Sequence, residues 1–170
     1  MAYRVRAADV RDLETVVSFT LAEAREAERL ERDAEVVRRG VRRGLEDPSA
    51  ASYWVVETDS GEVVGSVSVV REWSDWHAGH YWWIQSMFVT PPFRGQGLMP
   101  RLLGAVSAEA RRHDAIELRL YVHQGNTPAI RAYERAGFSH APYRVMRAAT
   151  EPDCTASDEA SDGHLERHSP

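Results

Sequence analysis

The chain has 170 residues, the size of one domain, and 43% of them are apolar, enough to build a core without a disulfide or metal staple. Its single cysteine, Cys154, excludes an internal disulfide framework and any multi-cysteine metal site. All 21 basic residues are Arg, against 26 acids for a net charge of −5, which excludes a Schiff-base lysine, a Walker-type phosphate lysine and a lysine-rich nucleic-acid arm.

Residues 3–6 alternate as a short strand, and from Asp9 to about Arg32 the apolar residues Val10, Leu13, Val16, Val17 and Leu21 recur at helical spacing. A second helix is predicted from Ala34 to Leu45, ended by Asp47-Pro48-Ser49. Ser52–Glu57 and Glu62–Arg71 read as a hairpin about the turn Asp59-Ser60-Gly61. A polar, Trp-rich stretch (EWSDWHAGH) leads into the buried strand YWWIQSMFV, stopped by Thr90-Pro91-Pro92. Leu98–Arg112 reads as a helix, Ile116–Val122 as a strand, and Asn126 caps a further helix that Gly137 ends. Tyr143–Ala148 alternates as a last short strand. Residues 150–170 have no periodicity and hold six acids against one Arg, the composition of a disordered acidic tail. The expected organisation is one α/β (α+β) domain over residues 1–149 with a mixed sheet, then the tail.

Charge is uneven along the chain. Residues 1–75 hold 16 acids and 11 Arg, whereas residues 76–149 hold four acids and nine Arg, so an anionic ligand is expected in the second half. The first residues carry no apolar signal core and no run approaches ~18 apolar residues. A cytoplasmic protein is expected, with neither a membrane nor a nucleic acid as partner.

The strongest chemical signal is a strand followed by PPFRGQG and a helix. A helix start leaves backbone N–H groups unpaired and carries partial positive charge. Gly95 and Gly97 allow close approach of a phosphate, and Arg94 adds a full charge. The G-x-x-x-x-G-K-[ST] loop is excluded for want of Lys, and the dinucleotide G-x-G-x-x-G pattern fails at Pro100.

This arrangement resembles the GNAT N-acetyltransferase superfamily, whose (Arg/Gln)-x-x-Gly-x-(Gly/Ala) loop matches Arg94, Gly97 and Met99, the last standing where a small residue is usual. A second stretch, NTPAIRAYERAGF, is similar to that family's Asn-x-x-Ala-x-x-x-Tyr-x-x-x-Gly-Phe signature at Asn126, Ala129, Tyr133, Gly137 and Phe138. The resemblance covers about residues 3–148. It implies a mixed, mostly antiparallel sheet of six to seven strands splayed between the fourth and fifth, with about four flanking helices. It implies acetyl-CoA as acetyl donor, held by Met87, Phe88 and Val89 on the fourth strand, by Arg94, Gly95, Gln96, Gly97, Leu98 and Met99 in the loop, and by Asn126 and Tyr133.

Direct transfer needs an unprotonated amine, a polarised thioester carbonyl and a proton for the departing thiolate. The resemblance gives the carbonyl to a fourth-strand amide and the proton to Tyr133, whose ordinary pKa of ~10 is near a thiol's ~8.5. Many relatives place a basic Glu on the fourth strand, where this chain has Gln85, so Glu72 is the leading base candidate and His123 another. The Trp-rich segment resembles that of one subgroup of the family, which also carries an acidic stretch after its first helix, here AREAERLE. Glu26, Glu28, Asp75, Trp73, Trp76, Trp83 and Gln85 are then candidates for binding a cationic amine of a small molecule or peptide. Asp75, His77 and His80 make only a mixed surface cluster, and no metal is expected. Relatives that dimerise make a homodimer the expected assembly. Gln85 and Met99 also suit a different protein, an acyl-CoA-binding sensor or regulatory module that does not catalyse.

Overall fold

The computed structural model describes residues 2–148. Chain up to Phe138 makes one compact unit, and Ser139 begins a second that shows no regular element over 139–148. Among the described residues no helix is long and apolar enough to cross a membrane.

A five-stranded sheet runs in the order β1 (Tyr3–Ala7), β2 (Ser52–Thr58), β3 (Val63–Ser74), β4 (Gly79–Val89), β5 (Leu118–Leu120). The first four are antiparallel neighbours, and β5 runs parallel to β4. Four helices flank the sheet: α1 (Leu13–Glu23), α2 (Ala34–Glu46), α3 (Leu98–Arg112) and α4 (Thr127–Arg135). The class is the mixed α/β one expected, with five strands among the described residues rather than six or seven.

The shortfall lies at the C-terminal end. Tyr143–Ala148 has strand-like alternation but forms no ladder, and Tyr143, Val145 and Met146 are exposed. Alternation creates a two-faced segment; only a neighbouring backbone turns it into a strand. The acidic tail expected at 150–170, with Cys154, lies outside the described residues.

Each face of the sheet has its own core. On one, α3 buries Leu98, Leu102, Leu103, Val106 and Ala110 against Val56, Val67, Val69, Trp82 and Ile84. The Leu, Val and Ile side chains buried this completely each contribute about 1.5–3 kcal/mol. On the other face Val16 and Val17 of α1 and Val41 of α2 close over Val55, while Phe19 packs on Phe88 with ring centres 5.3 Å apart. Trp82, Ile84, Met87 and Val89 of β4 thus belong to the α3 face, and Ser86 and Phe88 reach the α1 face.

Two irregularities shape β4. Its register with β3 shifts between Ser68↔Ser86 and Val69↔Ile84, leaving Gln85 as the extra residue of a bulge. Its pairing with β5 covers only Trp82↔Leu118 to Ile84↔Leu120. Beyond the bulge β4 runs on without β5, so the sheet opens between these strands, as the resemblance implies. That divergence also cuts the strand expected at 116–122 to three residues.

Candidate functional site

The open side of β4 is set by ladder alternation. Thr90 N–H donates to the Val64 carbonyl at 2.9 Å, so Phe88, two residues back and opposite Ser66, also turns its N–H toward β3. The amides of Met87 and Val89 therefore face the cleft beside β5. Of the three strand residues singled out, Phe88 contributes its ring and the other two contribute donors.

Past the strand, Thr90-Pro91-Pro92-Phe93 makes one tight turn, and Arg94-Gly95-Gln96-Gly97 leads into α3. Gly95 (φ 76°) and Gly97 (φ 75°) both lie in the left-handed region, which turns successive amides of the loop inward. An added Cβ at either glycine meets no atom within 4 Å, so backbone conformation, not crowding, demands glycine here. Leu98 and Met99 open α3, where N–H groups have no intrahelical acceptor. Pro100 comes in the same first turn, where its missing donor costs nothing. The Gln96 side chain braces the loop, accepting from the Tyr3 hydroxyl and donating to the Pro92 carbonyl at 3.3 Å. The result is a ring of backbone donors with a positive helix end behind it, suited to an anion.

Arg94 stands over this loop with its charge already engaged. Nε donates to the Val89 carbonyl at 2.8 Å, a terminal nitrogen meets Glu26 at 2.7 Å, and the guanidinium lies 5.3 Å from the Phe88 ring centre. Glu26, expected on the amine side, is thus on the anion loop instead. It comes from a π-helical turn, Ala24–Glu28, that continues α1 and ends on Arg29 at φ 56°. Such a turn and a left-handed non-glycine residue are both strained features that cluster at functional sites.

The last residue of α1, just before this turn, is one that sequence reasoning missed. The Glu23 carboxylate accepts from the Met87 N–H at 3.0 Å and from the Ser86 hydroxyl. A serine inside an otherwise apolar strand was the available signal, because a polar group there needs a partner. The identity of that partner, 63 residues away, was not.

Tyr133 projects from α4 to the edge of the α3-side core, its ring 5.6 Å from Phe138. Burial, and secondly the negative charge of Glu23, push its hydroxyl pKa up to about 12. At neutral pH it is a donor, never a phenolate. Asn126 caps α4, its Oδ1 accepting from Ala129 N–H at 3.2 Å, with Pro128 in the first turn.

On the α1 face, on the N-terminal side of the bulge, a shallow pocket of about 260 Å³ is lined by Val70, Glu72, Trp83, Ile84, Gln85 and Tyr121. Trp83 stacks on Tyr121 at 4.5 Å and donates through Nε1 to Glu72. Trp73 and Asp75 are not part of it. They bond to each other at 2.8 Å near the hairpin tip, where Trp73 pairs with His80, about 20 Å along the strand from Met87 at ~3.3 Å per residue. His123 is turned into its own loop, its Nδ1 accepting from Gly125 N–H at 3.1 Å. Among the described residues no group of His, Cys, Asp and Glu is placed to hold a metal.

Comparison with known proteins bears on this geometry. A family model described as the acetyltransferase (GNAT) family matches residues 13–138. The aminoalkylphosphonate N-acetyltransferase of Salmonella typhimurium is 31% identical over 118 residues, 69% of this chain and 75% of that protein. A solved structure described as a possible acetyltransferase from Clostridium difficile 630 superposes with a TM-score of 0.82 at 29% identity, covering 89% of this chain and 99% of the other. An aminoglycoside N-acetyltransferase in complex with CoA shares the fold at a TM-score of 0.74 and 14% identity, over 88% and 95% of the two chains.

Proposed function

This chain belongs to the GNAT family of N-acetyltransferases, and from that premise we propose that it moves the acetyl group of acetyl-CoA directly onto a primary amine of a small molecule or peptide. The observation that carries this reading is the continuity of one segment. Two outward amides on β4, at Met87 and Val89, run without a break into the glycine turn at the start of α3. That places donors for an extended amide-bearing chain next to donors for an anion, the two parts of pantetheine and pyrophosphate. The residues present fit acetyl-CoA on chemical grounds, with Arg94 and the amides of Gly95 through Met99 facing the phosphates. Met99 is no obstacle, since a backbone donor does not depend on its side chain.

In this reading the Met87 amide polarises the thioester carbonyl. One such oriented donor supplies on the order of 3–4 kcal/mol of transition-state stabilisation. Tyr133 protonates the departing thiolate. The acceptor approaches over the α1 face, where Trp83, Tyr121 and Glu72 line the pocket beside Gln85. A phosphonate-bearing or an aminoglycoside-like amine is a reasonable first acceptor to try, given the relatives.

Calorimetric titration with acetyl-CoA, with desulfo-CoA and ATP as controls, tests the reading. Saturable one-site binding of acetyl-CoA that ATP does not reproduce supports it, and absence of binding removes it. A non-catalytic acyl-CoA sensor is the alternative, favoured by the neutral Gln85 at the bulge. Thioester turnover with a panel of amines separates the two.

A further inference from the structure

Transfer to an amine requires a proton acceptor, and the residues proposed from sequence do not sit where one is needed. Gln85 does not ionise near neutral pH. Glu72 is held by the Trp83 indole on the far side of the bulge, and His123 is engaged with Gly125. Glu23, in contrast, touches the Met87 amide itself at 3.0 Å.

We infer that Glu23 is the proton acceptor of the acyl transfer, swinging from the Met87 amide to the Ser86 side of the cleft when the thioester carbonyl takes its place. The inference rests on the reading of the site given above. Glu23 occupies, in the free protein, the donor that the carbonyl oxygen needs, so the two cannot bond to it together. Ser86 Oγ supplies a second anchor one residue away on the α1 face, the acceptor side. Displaced from the Met87 amide, the carboxylate would keep its bond to the Ser86 hydroxyl on the α1 face. Glu23 is the last residue of α1 in regular helical geometry, and the π turn begins at the next residue.

The amine lone pair forms the N–C bond to the carbonyl carbon, and the C–S bond breaks with its electron pair leaving on sulfur. One ammonium proton passes to a Glu23 oxygen, and the Tyr133 phenolic proton passes to the thiolate. The second transfer gains from the first. Negative charge on Glu23 helps hold Tyr133 near 12, and a protonated Glu23 no longer does so, easing release of the phenolic proton. Solvent exchange then returns the proton from Glu23 to Tyr133. Among the groups facing Glu23 are Ser86 and Met87 of β4, with Tyr133 of α4 near enough to feel its charge and the Glu26–Arg94 pair one turn away.

The test uses the full chain and two variants, Glu23→Gln and Glu23→Ala. Acetyl-CoA binding is measured first by calorimetry. Transfer at saturating acetyl-CoA is then followed with 2-aminoethylphosphonate and with hydroxylamine as acceptors, over the uncatalysed rate. For Glu23→Gln the expected result is acetyl-CoA affinity within about threefold of the parent, transfer lower by about 10²–10⁴-fold, and loss of the acid limb of the pH profile. Added formate should restore part of the rate to Glu23→Ala, which a structural role does not predict. Transfer by Glu23→Gln within threefold of the parent, or an unchanged acid limb, overturns the assignment while leaving the acetyl-CoA reading intact. A parent protein that binds acetyl-CoA but acetylates neither acceptor also overturns it, and one that binds no acetyl-CoA removes the reading beneath it.

Discussion

Tyr133 shows how one side chain is tuned by its surroundings. Its hydroxyl is raised to about 12 by burial first and by Glu23 second, so the protonated form is secured throughout the neutral range. Tyr133→Phe keeps the ring against Phe138 and deletes only the donor. The expected outcome is turnover lower by about 10²-fold or more, with acetyl-CoA affinity nearly unchanged, measured by steady-state kinetics and calorimetry. An unchanged kcat would remove its acid role. The same shift has a sign for stability. A folded pKa above the unfolded ~10 gives a contribution complete below pH 10 and lost as pH rises toward 12, so alkaline unfolding should shift to higher pH in Tyr133→Phe. Tyr133, Asn126 and Arg94 could be singled out in the sequence because each belongs to a short local pattern. Glu23 was not, since what marks it is a contact 64 residues distant.

At the scale of elements, the π turn and the anion loop hold each other in check. Glu26 occupies the guanidinium of Arg94 across 68 residues, in an exposed pair worth about 0.2–1 kcal/mol. A pyrophosphate has to displace that carboxylate. Glu26→Gln is therefore expected to tighten acetyl-CoA binding by about two- to fivefold, and to leave S-acetylpantetheine, which lacks the pyrophosphate, unaffected. Weaker or unchanged acetyl-CoA binding in a titration would show that the pair supports the loop instead. The β3–β4 ladder offers a second lever. A Cβ on Gly65 would lie 2.8 Å from the Phe88 carbonyl oxygen, a backbone atom with little room to move. Gly65→Ala should thus destabilise by about 1–3 kcal/mol in denaturant titrations, and should disturb the strand that presents Met87. Helix and hairpin positions were legible from periodicity and turn residues, with α3 matching at both ends. The end of β5 and the absent ladder at 143–148 were not, because period-2 alternation says which face a residue takes and nothing about where a neighbouring strand diverges.

For the molecule as a whole, the N-terminal end of α1 is fixed by a buried ionic group, and the helix then carries Glu23 to β4. Asp12 is 5% exposed and accepts from Arg6 at 2.7 and 2.8 Å, while Arg6 also reaches Glu57 of β2 at 2.8 Å. Asp12 also accepts from Asp9 N–H, completing a capping box on the single 3-10 turn, Val10–Asp12, that leads into α1. The Arg6 bonds hold the Asp12 carboxyl below its ordinary range, and Asp12 in turn holds Arg6 above its own. A depressed folded pKa gives a contribution present above the unfolded value of ~3.9 and lost as pH falls through the folded one. Removing Asp12 deletes two charge-assisted bonds from Arg6, at a cost of about 3 kcal/mol, and leaves Arg6 with Glu57 alone. Asp12→Ala is expected to lower Tm by about 10 °C at pH 7. The gap to the parent should narrow as pH drops below about 4, where the parent loses the same contribution. A gap constant from pH 7 to 3 would assign the loss to the helix cap and not to the charge. Because Glu23 lies at the other end of this helix, Asp12→Ala should also weaken the Glu23–Met87 bond, visible as a shift of the Met87 amide resonance under conditions where the variant remains folded.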